Sequence, residues 1–414
     1  MKYGFAFLTA CILTGSLWGQ DEADPLGINA RWNNGLELKT NDGNTSLKLG
    51  GRIMLDHAWF SDDSGAEDGT EFRRTRLMLS GKVNQFEWKT QYEFARGGEG
   101  SADKGNRPAF KDVYVGVSGV PYAGALRVGH FKEPFGLEEL TSSKYMTFME
   151  RSLTSAFAPS RNVGLMAHRT LDNGTLAYGV FRTTGDNGFD KGDGDYSITG
   201  RYTRLLRNDG DNLFHIGAAA SSRIIDGLKI QPRPSAHLAG KLPAANDGTA
   251  DGEFRYGVEA AWVRGPLSVQ AEFMGSSVSA ADNFSYTGWY VMASYFLTGE
   301  SRPYDSKKGI FKRVKPAKEF SWGESWGAVE LAVRYGSIDG GDLARLDMET
   351  KDPEDTIAGP RLDDLTVGVN IYHNPAFRTM FNYVYYDMDG GAVSYTHLRA
   401  HETLPSRVCR RGGE

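Results

Sequence analysis

The sequence predicts an all-β protein, a transmembrane antiparallel β-barrel with sixteen strands in its natural form. Apolar and polar residues alternate with a period of two over many short segments. The connections between those segments alternate between short and long. Glycine supplies 51 of the 414 residues and aromatic residues supply 12%, which fits strands and tight turns better than a helical bundle. No run of about 18 apolar residues follows the N-terminal segment, which excludes a helical membrane protein.

The N-terminus has the pattern of a secretory signal peptide. Lys2 gives a positive start, and residues 3–18 are largely apolar. A lipoprotein cleavage site at Cys11 is less favoured, because the apolar run continues beyond it. The predicted segments are a signal peptide at 1–20, an N-terminal periplasmic segment at 21–46, a barrel at 47–390 and an aberrant, non-native tail at 391–414.

The predicted strands have one apolar and one polar face. In the first of them Leu49 and Ile53 share one face, whereas Lys48 and Arg52 share the other. A soluble sandwich would also show this period, but strands of roughly nine to eleven residues with aromatic residues near their ends favour a membrane barrel. Fifteen strands are predicted, at 47–59, 74–83, 86–94, 112–117, 125–131, 162–169, 175–183, 195–205, 213–222, 254–263, 267–274, 284–297, 325–335, 364–372 and 377–386.

The connections indicate which end of the barrel is elaborated. Short turns at 84–85, 171–174 and 264–266 alternate with very long connections at 132–161 and 223–253. Short periplasmic turns and long external loops are typical of outer-membrane barrels. Another long connection, at 298–324, falls where a short turn is expected.

The polar faces of the predicted strands carry eleven basic and seven acidic side chains, although the whole chain has a net charge of −5. A net-basic lining around a water-filled tube favours anions, and the planar fork of arginine suits phosphate. The alternative for any one residue is an Arg–Glu pair that cross-links neighbouring strands. The basic residues are Lys48, Arg52, Arg74, Arg76, Lys82, Lys89, Arg127, Arg201, Arg255, Arg334 and Arg378. The acidic residues are Asp56, Glu87, Glu93, Asp112, Glu259, Glu272 and Glu330.

Three parts of the sequence carry a family resemblance. They are Phe72-Arg73-Arg74-Thr75-Arg76-Leu77, then Val128–Ser143 with Phe148–Ser152, and finally Leu297–Arg302 with Gly309–Pro316. These stretches resemble the phosphate-selective porins O and P, over roughly residues 45–390. The resemblance implies a sixteen-stranded, usually trimeric barrel that passes phosphate or related anions by passive diffusion. It also implies a pore ladder containing Arg73, Arg74 and Arg76, with Lys132, Arg151, Lys312 and Lys315 as further candidates.

Pattern and resemblance together predict an anion-binding pore lining. Segment 132–161, the third long loop, is expected to fold inward and narrow the pore. Glu87 and Glu93 share a predicted face with Lys89, and this mixed charge weakens the case for strict phosphate selectivity. The predicted lining residues are Arg52, Arg73, Arg74, Arg76, Lys82, Lys89, Arg127, Lys132, Arg151, Arg201, Lys312 and Lys315.

The C-terminus departs from the barrel pattern. Barrels of this class have even strand numbers, and fifteen strands are predicted. Residues 391–414 show no period-2 alternation and end Arg410-Arg411-Gly412-Gly413-Glu414. We therefore expect the natural last strand to be missing and the barrel edge to be open. A genuine basic tail is the alternative.

Other chemistry has little support in the sequence. The run from Asp190 to Asp195 resembles a calcium loop but lacks the bidentate Glu of an EF-hand. The histidines have no metal-ligand spacing and no G-x-S-x-G motif occurs. We expect neither catalysis nor a metal or cofactor. The expected partners are phosphate, polyphosphate and chloride, outer-membrane lipid and two further copies in a homotrimer, but not nucleic acid. A secreted or periplasmic soluble all-β binding protein is the alternative.

Overall fold

The computed structural model describes residues 27–33, 35–61, 66–95, 108–192, 194–230, 232–239, 245–340, 361–389 and 399–403. The predicted signal peptide lies outside them. The described strands, in chain order, are β1 (Ile28–Trp32), β2 (Leu36–Thr40), β3 (Thr45–Phe60), β4 (Gly69–Val83), β5 (Phe86–Glu93), β6 (Ala109–Phe110), β7 (Val113–Val120), β8 (Gly124–Lys132), β9 (Arg161–Leu171), β10 (Gly174–Arg182), β11 (Tyr196–Asp209), β12 (Asn212–Ile224), β13 (Leu228–Ile230), β14 (Ala245–Asp247), β15 (Gly252–Arg264), β16 (Leu267–Ser279), β17 (Phe284–Phe296), β18 (Tyr304–Asp305), β19 (Ile310–Phe311), β20 (Ala328–Asp339), β21 (Arg361–Tyr372), β22 (Arg378–Asp389) and β23 (Arg399–Thr403).

Helical structure is scarce in the described chain. It comprises α1 (Leu137–Leu140) and 3₁₀ turns at Leu153–Ala156 and His237–Ala239. Within the described ranges, no helix has the length and apolar character needed to cross a membrane.

Sixteen of the described strands pair side by side in an antiparallel ring. Their order is β3, β4, β5, β7, β8, β9, β10, β11, β12, β15, β16, β17, β20, β21, β22 and β23. Because β23 pairs with β22 on one side and with β3 on the other, the pairings return to the first strand. This is the antiparallel barrel that the alternation predicted.

The fifteen predicted strands all correspond to strands of this ring. The predicted segments 162–169, 213–222 and 284–297, which are apolar or small on both faces, form the full strands β9, β12 and β17. The sixteenth strand of the ring is β23, which lies inside the predicted tail and has only five residues. Its pairing reaches four residues of β22 and five of β3. That this tail is non-native stays a prediction.

An unpredicted hairpin, β1–β2, precedes the barrel within the predicted segment 21–46. Strand β2 pairs with Ser46–Leu49 of β3, and β23 pairs with Asp56–Phe60 further along the same edge of β3. The hairpin therefore occupies an edge that the short last strand leaves open.

The two faces of the wall are reversed relative to a soluble protein. Outward apolar residues such as Ile53, Ile198 and Val115 are exposed, at 73%, 66% and 62%. Inward polar residues such as Arg334 and Glu272 are buried, at 1% and 3% exposed. An apolar outer face suits lipid, because hydrocarbon is its favourable solvent. The exposed apolar face rules out a soluble sandwich, in which it would pack in a core.

Three connecting segments enter the barrel interior. We call residues 133–160, between β8 and β9, the strap; the described part of residues 225–251, between β12 and β15, the outer loop; and residues 297–327, between β17 and β20, the inner turn. Phe135 and Phe157 of the strap pack with Leu362 of β21 in one apolar cluster. Leu137 of the strap packs with Phe311 of the inner turn in another. The prediction that 132–161 folds inward is confirmed, and the anomalous connection at 298–324 folds inward from the opposite end.

Candidate functional site

The strap crosses the lumen and is held to distant parts of the wall. Glu272 on β16 accepts hydrogen bonds from the backbone N–H groups of Leu137 and Glu138, at 2.8 and 2.7 Å. Asn382 on β22 accepts one from the backbone N–H of Met149, at 2.8 Å. The strap leaves the wall at β8, and five strands of the ring separate β8 from β16. Its side chains therefore face both sides of the passage.

A bulge places two consecutive arginines of β4 in the lumen. The register between β3 and β4 shifts after Met54, which leaves Arg73 as an extra residue beside Arg74. A bulge re-aims the side chain that it inserts. Arg73 Nε lies 2.5 Å from Oε1 of Glu150 in the strap, and Arg74 Nη2 lies 3.5 Å from Oε2 of the same carboxylate. One strap carboxylate thus compensates two arginines, which we call the paired region (Arg73, Arg74 and Glu150).

Most other predicted lining residues also have carboxylate partners. Arg127 additionally lies over the ring of Tyr114, with Cζ 4.0 Å from the ring centroid. These contacts match the cross-linking alternative, in which an inward cation serves the wall and not a passing ion. The pairs are Arg76–Glu93, Lys89–Asp112, Arg127–Glu87, Lys132–Glu139, Arg151–Glu139 and Arg201–Glu259.

Three predicted residues lie apart from the strap. Lys82 is exposed at the end of β4, and Lys312 and Lys315 are exposed on the inner turn. All three lie towards the end of the barrel that carries the short turns. The structure does not bring them together with Arg73 and Arg74.

Arg52, the remaining predicted residue, belongs to a group of cations with neutral partners. Its guanidinium donates to Ser143 Oγ of the strap, and the guanidinium of Arg313 donates to the carbonyl of Pro375. Nε of Arg52 and Nε of Arg313 are buried donors without a hydrogen-bond partner in the described residues. A buried donor without a partner is unfavourable, and each of these two guanidinium groups retains one.

Lys144 of the strap lies near both of these arginines. The ring of Tyr145 lies 5.8 Å from Lys144 Nζ and 5.6 Å from Arg313 Cζ. Burial, together with the positive charges of Arg52, Arg313, Lys89 and Lys48, lowers the pKa of Lys144 to about 7. We name Lys48, Arg52, Lys144 and Arg313 the basic cluster. Its charges repel one another, and a bound anion would relieve that repulsion.

A comparison with known proteins identifies the family. The model of the family described as phosphate-selective porin O and P matches residues 47–394. The chain belongs to the phosphate-selective porin O and P family. Porin O of Pseudomonas aeruginosa is 28% identical to this porin over 403 residues, which cover 88% of each chain.

Solved outer-membrane proteins share the fold of this porin. OmpT of Vibrio cholerae, in its trimer form, aligns with a TM-score of 0.54 at 10% identity, over 87% of this porin and 98% of that chain. The outer-membrane channel DcaP of Acinetobacter baumannii aligns with a TM-score of 0.52 at 11% identity, over 88% and 98% of the two chains. This porin is therefore a bacterial outer-membrane β-barrel, and its short turns lie at the periplasmic end.

Sequence reasoning missed two members of the basic cluster. Lys144 directly follows the stretch that ends at Ser143, and Arg313 lies inside the stretch Gly309–Pro316. Neither lies on a wall strand, so counting the polar faces of strands could not include them. The sequence signal that could have found Lys144 and Arg313 was their position beside or within a stretch that resembles the family.

Proposed function

We propose that this porin passes small anions by passive diffusion through a water-filled lumen and that the basic cluster holds them in transit. The observation that carries the proposal is that Arg52 and Arg313 have neutral hydrogen-bond partners and each keeps a buried, unpartnered Nε, with Lys144 near both. Glu138, Glu139 and Glu150 of the strap each pair with inward cations, whereas at Arg52 the strap supplies the hydroxyl of Ser143. Positive charge therefore remains for a mobile anion.

The wall of the barrel strengthens the electrostatic field of these cations. A lumen bounded by low-dielectric protein and lipid focuses the field of uncompensated cations, which concentrates anions in it. Conduction also requires that the ion leave, so binding has to be weak or shared among several sites. A cluster of four cations on the wall, the strap and the inner turn meets both conditions.

Phosphate and polyphosphate are the anions that we assign to the cluster, with chloride as a weaker ligand. Two guanidinium groups offer forked donors that match phosphate oxygens, whereas chloride has no such geometry. Membership of a family described as phosphate-selective supports the assignment. The paired lining residues, Arg73 and Arg74 among them, then contribute a background field and not the principal site. The conduction needs no catalytic residue and no cofactor.

We further propose that the protein works as a homotrimer. The fold relative OmpT was solved in a trimer form, and this supports the same assembly here. Gel mobility of the folded protein after mild extraction, with and without heating, measures the assembly. A folded species of monomer size alone would contradict it.

Planar-bilayer recordings test the anion preference. A KCl gradient across the wild-type porin should give a reversal potential of the sign set by chloride. The double variant Arg52→Ala/Lys144→Ala should move that potential towards zero, and Lys82→Ala should leave it unchanged. A wild-type reversal potential of the sign set by potassium would overturn the proposed function.

A further inference from the structure

Three arginines lie on the outer, lipid-facing side of the barrel. Arg169 on β9, Arg204 on β11 and Arg264 on β15 are all exposed. Their neighbours at i−2, Ala167, Tyr202 and Trp262, belong to the apolar outer face. Arg204 and Arg264 have no ion pair within the described residues, and Arg169 donates to the backbone carbonyl of Tyr122 at 3.4 Å. We call these three residues the outer arginines.

The outer arginines lie near the periplasmic end of their strands. Arg169 is two residues before the end of β9, Arg204 is five before the end of β11, and Arg264 ends β15. A tilted strand advances about 2.5 Å per residue along the barrel axis, so the 14 residues of β11 cover roughly 35 Å. The apolar band of such a barrel is about 25 Å tall. The excess of about 10 Å leaves roughly two residues beyond the apolar band at each end of β11, and an arginine a few residues further in can extend its long side chain to the headgroup level.

The register shows that these residues follow one level around the wall. Arg169 and Tyr202 both pair with Leu176, so Arg204 lies two residues nearer the turn than the row of Arg169. Arg204 pairs with Ile216, which pairs in turn with Ala260, so Arg264 lies four residues nearer still. Strands tilted by about 40° require a shift of this sign and of about one residue per strand along a line of constant depth. Arg169 and Arg204 therefore lie at one depth, and Arg264 lies about two residues nearer the periplasm.

The arginines are confined to one arc of the barrel. On other strands the outward position at the periplasmic end is apolar. These positions are Phe86 of β5, Val117 of β7, Leu267 of β16 and Val329 of β20. The positive charge is thus a local feature of the arc from β9 to β15, and not a general property of the rim.

We propose that the outer arginines bind the phosphate groups of anionic phospholipids in the periplasmic leaflet. A guanidinium at the headgroup level can keep its stem against acyl chains while its fork meets a phosphodiester. Tyr202 and Trp262 lie one outward position deeper, where aromatic rings mark the edge of the apolar band. The arc from β9 to β15 then faces lipid, so any contact between subunits has to use another part of the wall.

Free phosphate does not fit this surface as well. The three arginines lie on different strands, and one strand lies between each and the next, so a single small ion cannot bridge all three. A lipid headgroup is held at this depth by its own acyl chains, which makes a single arginine sufficient for each lipid. The proposal therefore commits to lipid, and inorganic phosphate is a competitor to be tested.

Lipid retention measured by native mass spectrometry tests the proposal. The folded full-length porin is extracted from vesicles of equal phosphatidylglycerol and phosphatidylcholine, and the retained lipids are counted. We expect a preference for phosphatidylglycerol that weakens about fivefold for each of Arg169→Gln, Arg204→Gln and Arg264→Gln. Added inorganic phosphate should not displace the lipid.

The matched control is the double variant Arg207→Gln/Asp209→Asn. Arg207 lies on the same outer face but pairs with Asp209 at 2.8 Å, so this variant should keep the preference. Equal retention by the wild type and the triple arginine variant would overturn the proposal, and so would displacement by inorganic phosphate. The reversal potential of the triple variant should stay at the wild-type value, because the lumen is unchanged.

Discussion

The paired region and the basic cluster contain the same kinds of side chain, but their partners differ. In the paired region the carboxylate of Glu150 meets both Arg73 and Arg74. In the basic cluster Arg52 meets the neutral hydroxyl of Ser143, which lies seven residues before Glu150 in the chain. Both partners belong to the strap. At these two places the strap therefore decides whether an inward arginine is neutralised or stays available to an ion.

Glu150→Gln should have the largest effect, because it converts the paired region into a second basic cluster. Breaking a buried ion pair on one side costs about 3 kcal/mol, so the barrel should lose its heat-resistant gel mobility at a lower temperature. The freed arginines should also strengthen phosphate block of the chloride current by roughly tenfold, since a charge-assisted hydrogen bond contributes about 1.5 kcal/mol or more.

The control for this change is Glu87→Gln. Glu87 pairs with Arg127, but the two side chains are 41% and 32% exposed, and exposed pairs contribute less than about 1 kcal/mol. If Glu150→Gln and Glu87→Gln had equal effects on stability and block, pairing by the strap would not be what separates the two regions.

Raising the pH should weaken the basic cluster and spare the paired region. The pKa of Lys144 is lowered to about 7, so the side chain is charged below that pH and neutral above it. One charge lost near an anion is worth about 1 kcal/mol in a water-like medium, or roughly a fivefold change. The chloride preference in a KCl gradient should therefore fall between pH 6 and pH 8.

Lys144→Met should remove this pH step, whereas Lys144→Arg should keep the preference at both pH values. A pH step of the same size in Lys144→Met would assign the titration to another group.

Arg313→Lys tests whether the fork of the guanidinium matters. The substitution keeps the charge but loses the planar set of donors. Phosphate block should weaken by about threefold, which is less than the loss of one hydrogen bond to a charged group would cause. The chloride reversal potential should stay constant. Equal losses for both anions would show that only charge is sensed.

Lys82→Ala should have the smallest effect. Lys82 is exposed at the end of β4 and lies outside the basic cluster. Changes at such positions are usually within about 0.5 kcal/mol, so phosphate block should change by less than about twofold. A larger change in block would move the site to the periplasmic mouth.

The wall of the barrel follows from local sequence, because alternation is a property of neighbouring residues. The faces of Leu49 and Lys48 can be assigned from the alternation alone, without information on what lies across the lumen. Alternation alone would send Arg73 outward, however, and the bulge that turns it inward arises from pairing between β3 and β4. Only the family resemblance assigned Arg73 to the lumen.

The contacts of the strap could not be predicted in the same way. Glu272, which accepts hydrogen bonds from two backbone N–H groups of the strap, is 134 and 135 residues away from them in the sequence. Asn382, which accepts a hydrogen bond from the N–H of Met149, is 233 residues away from it. The count of basic and acidic side chains on the strands therefore treated each charge as independent of the strap. The strap changes that count, because it neutralises some of them and brings Lys144 to others.

The most direct test of the account compares phosphate block of the chloride current in two double variants. Arg52→Ala/Lys144→Ala removes two cations that have neutral partners, and Arg76→Ala/Glu93→Ala removes a cation together with its counter-charge. The account predicts that the first weakens block by about tenfold or more and that the second changes it by less than about twofold. Strong block that survives the first change and disappears with the second would contradict it.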